Sequence, residues 1–138
     1  MLEYIDGVIV SKERLGAGKS ALKTVGNVRG FTAWDYLGDI EKGTFKVKEN
    51  SSLKGLVNLI KAKRIDGIYF NVFVARYYLK HTLFDENSLM FDDTLPHSRS
   101  HYHVTSIKHP HVIVEIDEFI VNNSELIQAL KEKYEVNL

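Results

Sequence analysis

The sequence contains no cysteine, only two prolines and a single tryptophan. The absence of cysteine excludes disulfides, thiolate metal ligands and cysteine nucleophiles. The chain also lacks an excess of either charge, because 18 Lys and Arg residues balance 18 Asp and Glu residues. Since nucleic-acid-binding proteins usually carry a basic excess, we expect no nucleic-acid partner.

Long apolar runs are absent as well. The most apolar run, 68–79, is interrupted by Asn71 and Arg76 and is shorter than the ~18 residues that a membrane span needs. The first ten residues include Glu3 and Asp6 and do not have the basic and apolar segments of a secretion signal, so no signal peptide is expected. The length of 138 residues and the 44% hydrophobic content indicate one globular domain.

Strand-like and helix-like segments alternate along the chain. Apolar, β-branched or alternating residues predict strands over 4–12, 24–28, 44–48, 66–70 and 101–108, with a short strand or loop at 87–93. Helical spacing of apolar residues predicts helices over 32–41, 53–60, 72–80, 110–120 and 124–134. We expect Thr32 and Asp35 to form a capping-box variant, Ser51 or Ser52 to cap the second helix, and Asn123 or Ser124 the last. This alternation predicts an α/β fold with a central, mostly parallel sheet flanked by helices.

A first candidate site is the turn that follows the strand 24–28. Gly30 permits an unusual backbone angle, and the free N–H groups of a helix start favour an anion. Thr32 adds a hydroxyl group and Arg29 adds a positive charge. The alternative is an ordinary turn, in which Thr32 caps the helix and Arg29 is solvated.

A second candidate is Asn71, which follows the strand 66–70 and begins a helix. Ligands of open α/β sheets bind outside the carboxyl ends of strands, and both Asn71 and Gly30 occupy such an end. We therefore expect the two strand ends to face one crevice. The alternative is that Asn71 is only the N-cap of the helix.

Histidines form a third candidate group. His101 and His103 would lie on one face of the strand 101–108, as metal ligands can, with His97 close in sequence. Acidic residues are sparse nearby, so structural or solvated histidines are the alternative that we favour. No metal or other cofactor is expected, and no acid–base or nucleophile arrangement indicates an enzyme.

The order of these motifs resembles the second lobe and C-terminus of the bacterial extracellular, or periplasmic, solute-binding proteins of ABC transporters. This family includes the glutamine- and histidine-binding proteins. The segment 24–32, TVGNVRGFT, is similar to the family's glycine-containing strand and turn, and 63–67, KRIDG, is similar to its GR.Da signature with Lys63 in place of glycine. Further matches follow in the family's order at 4–12, 50–60, 100–108 and 113–134.

The resemblance implies a lobe of the type II periplasmic-binding-protein class that binds a small polar or anionic solute between two lobes. It implies that Gly30, Phe31 and Thr32 line the cleft, where backbone N–H groups would hold a carboxylate. Asn71 stands where amino-acid binders usually carry an Asp that pairs with the ligand's amine, so an ordinary α-amino acid is in doubt. Phe31 replaces a smaller residue and could pack on an apolar part of the ligand.

The resemblance also implies a division of the chain. Residues 1–103 would be lobe two, and 104–138 would be the return strand and helices that pack on lobe one, which the sequence does not contain. We therefore expect a truncated lobe in the periplasm or outside the cell, with an ABC permease as partner of the full-length family and a homodimer through the C-terminal helices. The alternatives are a periplasmic sensor domain of a signalling protein, an enzyme on the same scaffold, and a histidine-mediated metal-binding domain.

Overall fold

The structure is a computed structural model that describes residues 2–137. Its strands are β1 (Glu3–Ser11), β2 (Thr24–Val28), β3 (Lys46–Asn50), β4 (Gly67–Asn71), β5 (Leu89–Phe91) and β6 (Ser98–His101). Its α-helices are α1 (Leu37–Glu41), α2 (Leu53–Lys61), α3 (Val72–His81), α4 (Pro110–Asn122) and α5 (Ser124–Lys133). The alternation of strands and helices confirms the predicted α/β class.

The six strands form one sheet in the order β3-β2-β4-β1-β5, and β6 pairs with β1. Strand β2 runs parallel to both β3 and β4, whereas β1 runs antiparallel to β4 and β5. The sheet is therefore mixed, and the expectation of a mostly parallel sheet is wrong in this detail. The parallel half is the half that needs helical crossovers, and α1 and α2 supply them.

Side chains of the sheet are buried on both of its faces. One face packs a cluster that includes Val8, Val25, Tyr36 and Tyr69, and the other face packs Ile9 and Ile68 against helices α2 and α3. Strand β4 is apolar on both faces for this reason, as a central strand with covered faces should be.

Two glycines allow this close packing. A Cβ atom added at Gly26 on β2 would lie 2.6 Å from Leu56 Cδ2, and one added at Gly67 on β4 would lie 2.6 Å from Val8 Cγ1. Both distances are below van der Waals contact, so a side chain at either position would have to displace Leu56 or Val8. The glycine of the KRIDG segment is thus required by packing against β1.

Some helix starts agree with the sequence and others differ. The Oγ of Ser52 accepts a hydrogen bond from Gly55 N at 3.1 Å, which confirms it as the cap of α2. The helix predicted over 32–41 is wrong, because a 3-10 turn (Trp34–Tyr36) comes first and α1 has only five residues. Asp35 cannot complete a capping box, because its carboxylate accepts hydrogen bonds from Tyr69 and Ser98 instead. Asn123 precedes α5 but donates backwards to the Phe119 carbonyl and does not cap with its side chain.

The strand predicted over 101–108 is also wrong. Strand β6 ends at His101, and the residues from 102 to 109 have no regular structure. The alternating Tyr102 and Val104 are both exposed, so the alternation that suggested a half-buried strand does not correspond to a buried face.

The chain divides into two compact units, residues 5–99 and residues 2–4 with 100–137. The second unit holds α4 and α5, and neither helix has a fully buried residue. An apolar depression of about 440 Å³ in this unit is lined by Leu2, Ile120, Ile127, Leu130, Lys131, Tyr134 and Val136. The division predicted after residue 103 stays a prediction, because it assigns the two parts of the chain to different lobes of a longer protein. In the described part of the chain, no helix is long and apolar enough to cross a membrane.

Replacing Leu56 by Ala tests the packing beneath β2. Leu56 is completely buried and contacts the backbone position of Gly26, so we expect a loss of about 2–5 kcal/mol in the free energy of unfolding. Urea denaturation measures this loss. The matched control is Lys54→Ala on the exposed side of the same helix, for which a change within about 0.5 kcal/mol is expected. Equal stabilities of the two variants would contradict the described core.

Candidate functional site

The two predicted strand ends lie on neighbouring strands. The parallel register pairs Val25 with Gly67 and Gly26 with Ile68, so β2 and β4 end at the same edge of the sheet. The residues 29–32 follow β2 at that edge, and Asn71 is the last residue of β4. The structure therefore brings the sequence-predicted site residues to one edge, which we call the strand-end edge.

Main-chain and side-chain hydrogen bonds hold the turn after β2. Phe31 N donates to Val28 O at 3.0 Å, and Asn27 Nδ2 donates to Phe31 O at 2.7 Å. Gly30 has a φ of +89°, a backbone conformation that costs other residues energy. The unusual angle expected at Gly30 is thus present, and the turn is fixed on both sides of Phe31.

The turn faces solvent. Arg29, Gly30 and Thr32 are exposed, and the Phe31 side chain is 52% exposed. Phe31 contacts Phe70 of β4, with ring centroids 5.2 Å apart, and this contact joins the turn directly to the residue before Asn71. Trp34 follows in the same segment and is 67% exposed. A partly apolar surface therefore borders the strand-end edge.

Both ends of the Asn71 amide are occupied. Its Oδ1 accepts a hydrogen bond from Val74 N at 3.1 Å and caps α3, and its Nδ2 donates to Asp6 Oδ1 at 3.3 Å. Asn71 is buried, with 8% of its surface exposed. The amide oxygen of Asn71 thus caps the helix, as the alternative interpretation expected, and the amide nitrogen binds Asp6.

Asp6 and Asp35 are residues of this edge that the sequence reasoning missed. Asp6 lies opposite Asn71 in the antiparallel register of β1 and β4. Burial raises the pKa of Asp6, the hydrogen bond from Asn71 lowers it, and the negative charge of Asp35 raises it further. Asp35 accepts hydrogen bonds from Tyr69 Oη at 2.7 Å and Ser98 Oγ at 2.8 Å. Burial and then the Asp35 contact raise the pKa of Tyr69, so its hydroxyl stays a donor.

The candidate histidines do not gather. Nδ1 of His97 lies 2.8 Å from the Leu95 carbonyl, and its ring makes an edge contact with Phe91. His101 ends β6 and His103 lies beyond it, so the two do not share a strand face. Among the residues from 2 to 137, no three His, Asp or Glu side chains come together in a way that could hold a metal ion.

No protein-family description and no curated protein sequence matches the chain. Solved structures do match. The GluR0 ligand-binding core in complex with L-glutamate superposes with a TM-score of 0.71 and 18% identity, covering 96% of this chain. A mutant of the arginine-binding protein ArgBP from T. maritima gives a TM-score of 0.67 at 16% identity over 98% of the chain. The chain therefore has a type II periplasmic-binding-protein fold.

A third similar structure with this fold is the solute receptor for L-cysteine of Neisseria gonorrhoeae, with a TM-score of 0.65 at 16% identity over 96% of the chain. The chain spans 60%, 59% and 54% of the lengths of these three proteins. The predicted resemblance to solute-binding proteins is thus confirmed at the level of the fold.

The raised pKa of Asp6 makes stability depend on pH. A carboxyl whose folded pKa exceeds its unfolded value, here near 3.8, favours the folded state below that value, and this contribution is lost as pH rises through the folded pKa. We therefore expect Asp6→Asn to raise the melting temperature at neutral pH and to leave it nearly unchanged near pH 3. Thermal unfolding followed by circular dichroism at both pH values measures the effect. Asp93→Asn, a change at an exposed carboxylate, is the control. A stability loss for Asp6→Asn at neutral pH would contradict the described environment.

Proposed function

We propose that the chain is the solute-binding module of an ABC-type uptake system and is not an enzyme. The observation that carries this proposal is the exposed turn at Gly30, fixed beside Asn71 at the carboxyl ends of two parallel strands. Ligands of open α/β sheets bind at such ends. The matching structures support the proposal, since their names give L-glutamate, arginine and L-cysteine as their solutes.

The solute in this proposal is small and polar or anionic, and it contacts Gly30, Phe31, Thr32 and Asn71. Because α1 is short and begins after a 3-10 turn, the anion contact rests on the exposed turn and the Thr32 hydroxyl rather than on a long helix dipole. The Arg29 side chain adds a positive charge at the rim. The exposed Phe31 ring offers a surface for an apolar part of the solute.

A permease would be the partner of the whole protein, and the location would be periplasmic or extracellular, as the name of a matching periplasmic arginine-binding protein from Legionella pneumophila suggests. The chain would act as a single lobe, with residues 1–103 as lobe two and 104–138 as the segment for lobe one. One lobe supplies part of the ligand contacts, so the affinity should be weak.

A sensor domain of a signalling protein is the second candidate. It is favoured by the TM-score of 0.71 with a protein named as a ligand-binding core rather than as a transporter protein. The two candidates share the solute site and differ in the partner. Co-purification with a permease supports the first, and co-purification with a histidine kinase or a channel supports the second.

The C-terminal helices support a further part of the proposal. Phe119, Val121 and Leu126 are at least half exposed, and the apolar depression lined by Ile127 and Leu130 lies in the same unit. Exposed apolar patches of this kind are usually covered by another surface. In the isolated chain, we propose that a second copy covers them and forms a homodimer.

Native mass spectrometry of the purified chain tests both parts. We expect a small-molecule adduct of solute mass, and a dimer as the main species. Gly30→Ala strains the turn at its positive φ and should lower the bound fraction, whereas Gly38→Ala adds a methyl group where no neighbour lies within 4 Å and should not. Equal solute retention by both variants, or no adduct after incubation with a mixture of polar metabolites, would contradict solute binding at this edge. A monomer would contradict only the dimer.

A further inference from the structure

The edge of the sheet opposite the strand-end edge is rich in positive charge. Because β1 is antiparallel to β4, the end of β1 lies there beside the starts of β2, β3 and β4. The loop before β5 lies there too, since Leu89 pairs with Ser11. We call this surface the basic edge, and it consists of residues 12–23, 39–46, 61–66 and 82–88. These residues include nine Lys and Arg but only six Asp and Glu, although the whole chain has no net charge.

Ion pairs neutralise only part of this charge. The cations that pair with carboxylates of the basic edge are Arg14, Lys19, Lys61 and Lys63. Within the described residues 2–137, five further cations of the edge form no ion pair, namely Lys12, Lys23, Lys42, Lys46 and Arg64. All five are exposed. A surface with many unpaired charges of one sign attracts a partner of the opposite sign, so the basic edge suits an anionic partner.

Two depressions in the basic edge are lined by its cations. The first, of about 340 Å³, is lined by Lys12, Arg14, Lys61 and Lys63 together with six other residues. The second, of about 800 Å³, is lined by Lys19, Lys23 and Lys46 together with seven others. Lysine and arginine side chains form charge-assisted hydrogen bonds with phosphate oxygens. Each depression therefore offers several cations to a phosphate group.

Apolar side chains are exposed at the same edge. Phe84 is 86% exposed, and its φ of +52° is unusual for a bulky residue. Leu15 is 43% exposed and lies in the sequence directly after Arg14. Surfaces that bind membranes combine cations, which attract anionic headgroups, with apolar side chains that enter the headgroup region. A free anion or an acidic protein would account for the cations but not for the exposed Phe84 ring.

We propose that the basic edge docks on a membrane surface that contains anionic phospholipids. The cations contact the lipid phosphates, and Phe84 and Leu15 enter the headgroup region. The strand-end edge lies at the other ends of the strands, so it faces away from the bilayer and stays accessible to a solute. The inference adds a lipid partner to the chain and does not depend on the proposed solute site.

Flotation of the purified chain with large unilamellar vesicles tests the docking. One set of vesicles contains phosphatidylcholine alone, and the other contains about 30 mol% phosphatidylglycerol as the anionic lipid. At about 50 mM NaCl, we expect binding to the anionic vesicles to be about tenfold stronger or more. Raising the salt to about 300 mM should remove most of this binding, because the attraction is screened.

Two charge-reversal variants locate the binding surface. Lys23→Glu with Lys46→Glu changes the basic edge and should weaken binding to the anionic vesicles by about tenfold or more. Lys48→Glu with Lys54→Glu changes the net charge equally at exposed residues outside this edge, and a loss of about threefold or less is expected. Circular dichroism checks that both variants fold, and Lys12→Glu with Arg64→Glu replaces the first pair if it does not.

The Phe84 ring is tested by Phe84→Ala, which should weaken binding by about threefold or more. Equal binding of the wild-type chain to both kinds of vesicle, or equal losses in the two charge-reversal variants, would overturn the inference. Absence of vesicle binding would also overturn it, and binding to poly-L-glutamate instead would assign the basic edge to an acidic protein. The adduct measurement decides the solute-binding function separately.

Discussion

The parallel pairing of β2 with strands on both of its sides is the constraint on which the rest of the structure depends. It brings the end of β2 beside the end of β4, although α1, β3 and α2 lie between these two strands in the sequence. Asp66 secures this arrangement by accepting hydrogen bonds from Lys23 N and Thr24 N, each at 2.9 Å, and by pairing with Arg14 at 2.8 Å. The Gly67 position then allows β1 to pack closely on the other side of β4.

Local signals in the sequence identify most of this framework. Thr24–Val28 is a strand at the predicted bounds because five consecutive residues are compatible with a sheet buried on both faces. Ser52 and Pro110 lie at the starts of α2 and α4. Both signals are local, because the Ser52 side chain bonds to the backbone of its own helix and Pro110 has the backbone angle of a first helical turn. Gly30 adopts the expected positive φ for the same local reason.

Sequence reasoning fails where a distant residue decides the outcome. Thr32 and Asp35 have the spacing of a helix start. However, Asp35 accepts hydrogen bonds from Tyr69 and Ser98, which are 34 and 63 residues away in the sequence. Asp6 is 65 residues from Asn71, and only the antiparallel register of β1 brings them together. The period of two along β1 does place Asp6 on the same face as Val8 and Val10, so its face could have been found, although its partner could not.

Burial raises the pKa of Asp6, so the charged form of this carboxylate works against the stability of the folded chain at neutral pH. Asn71 serves both sides, because its amide caps α3 with one end and orients Asp6 with the other. One side chain thus caps a helix and also holds the Asp6 carboxylate in position.

The proposed solute site depends on the position of the Gly30 turn beside the end of β4. The contact between the rings of Phe31 and Phe70 tests this position most directly. The Phe31 and Phe70 ring centroids are 5.2 Å apart. A nuclear Overhauser spectrum of the chain with selectively labelled phenylalanines measures this proximity in solution. We expect a cross-peak between the two rings that disappears in Phe31→Leu. A folded chain without this cross-peak would contradict the shared edge and the solute site built on it.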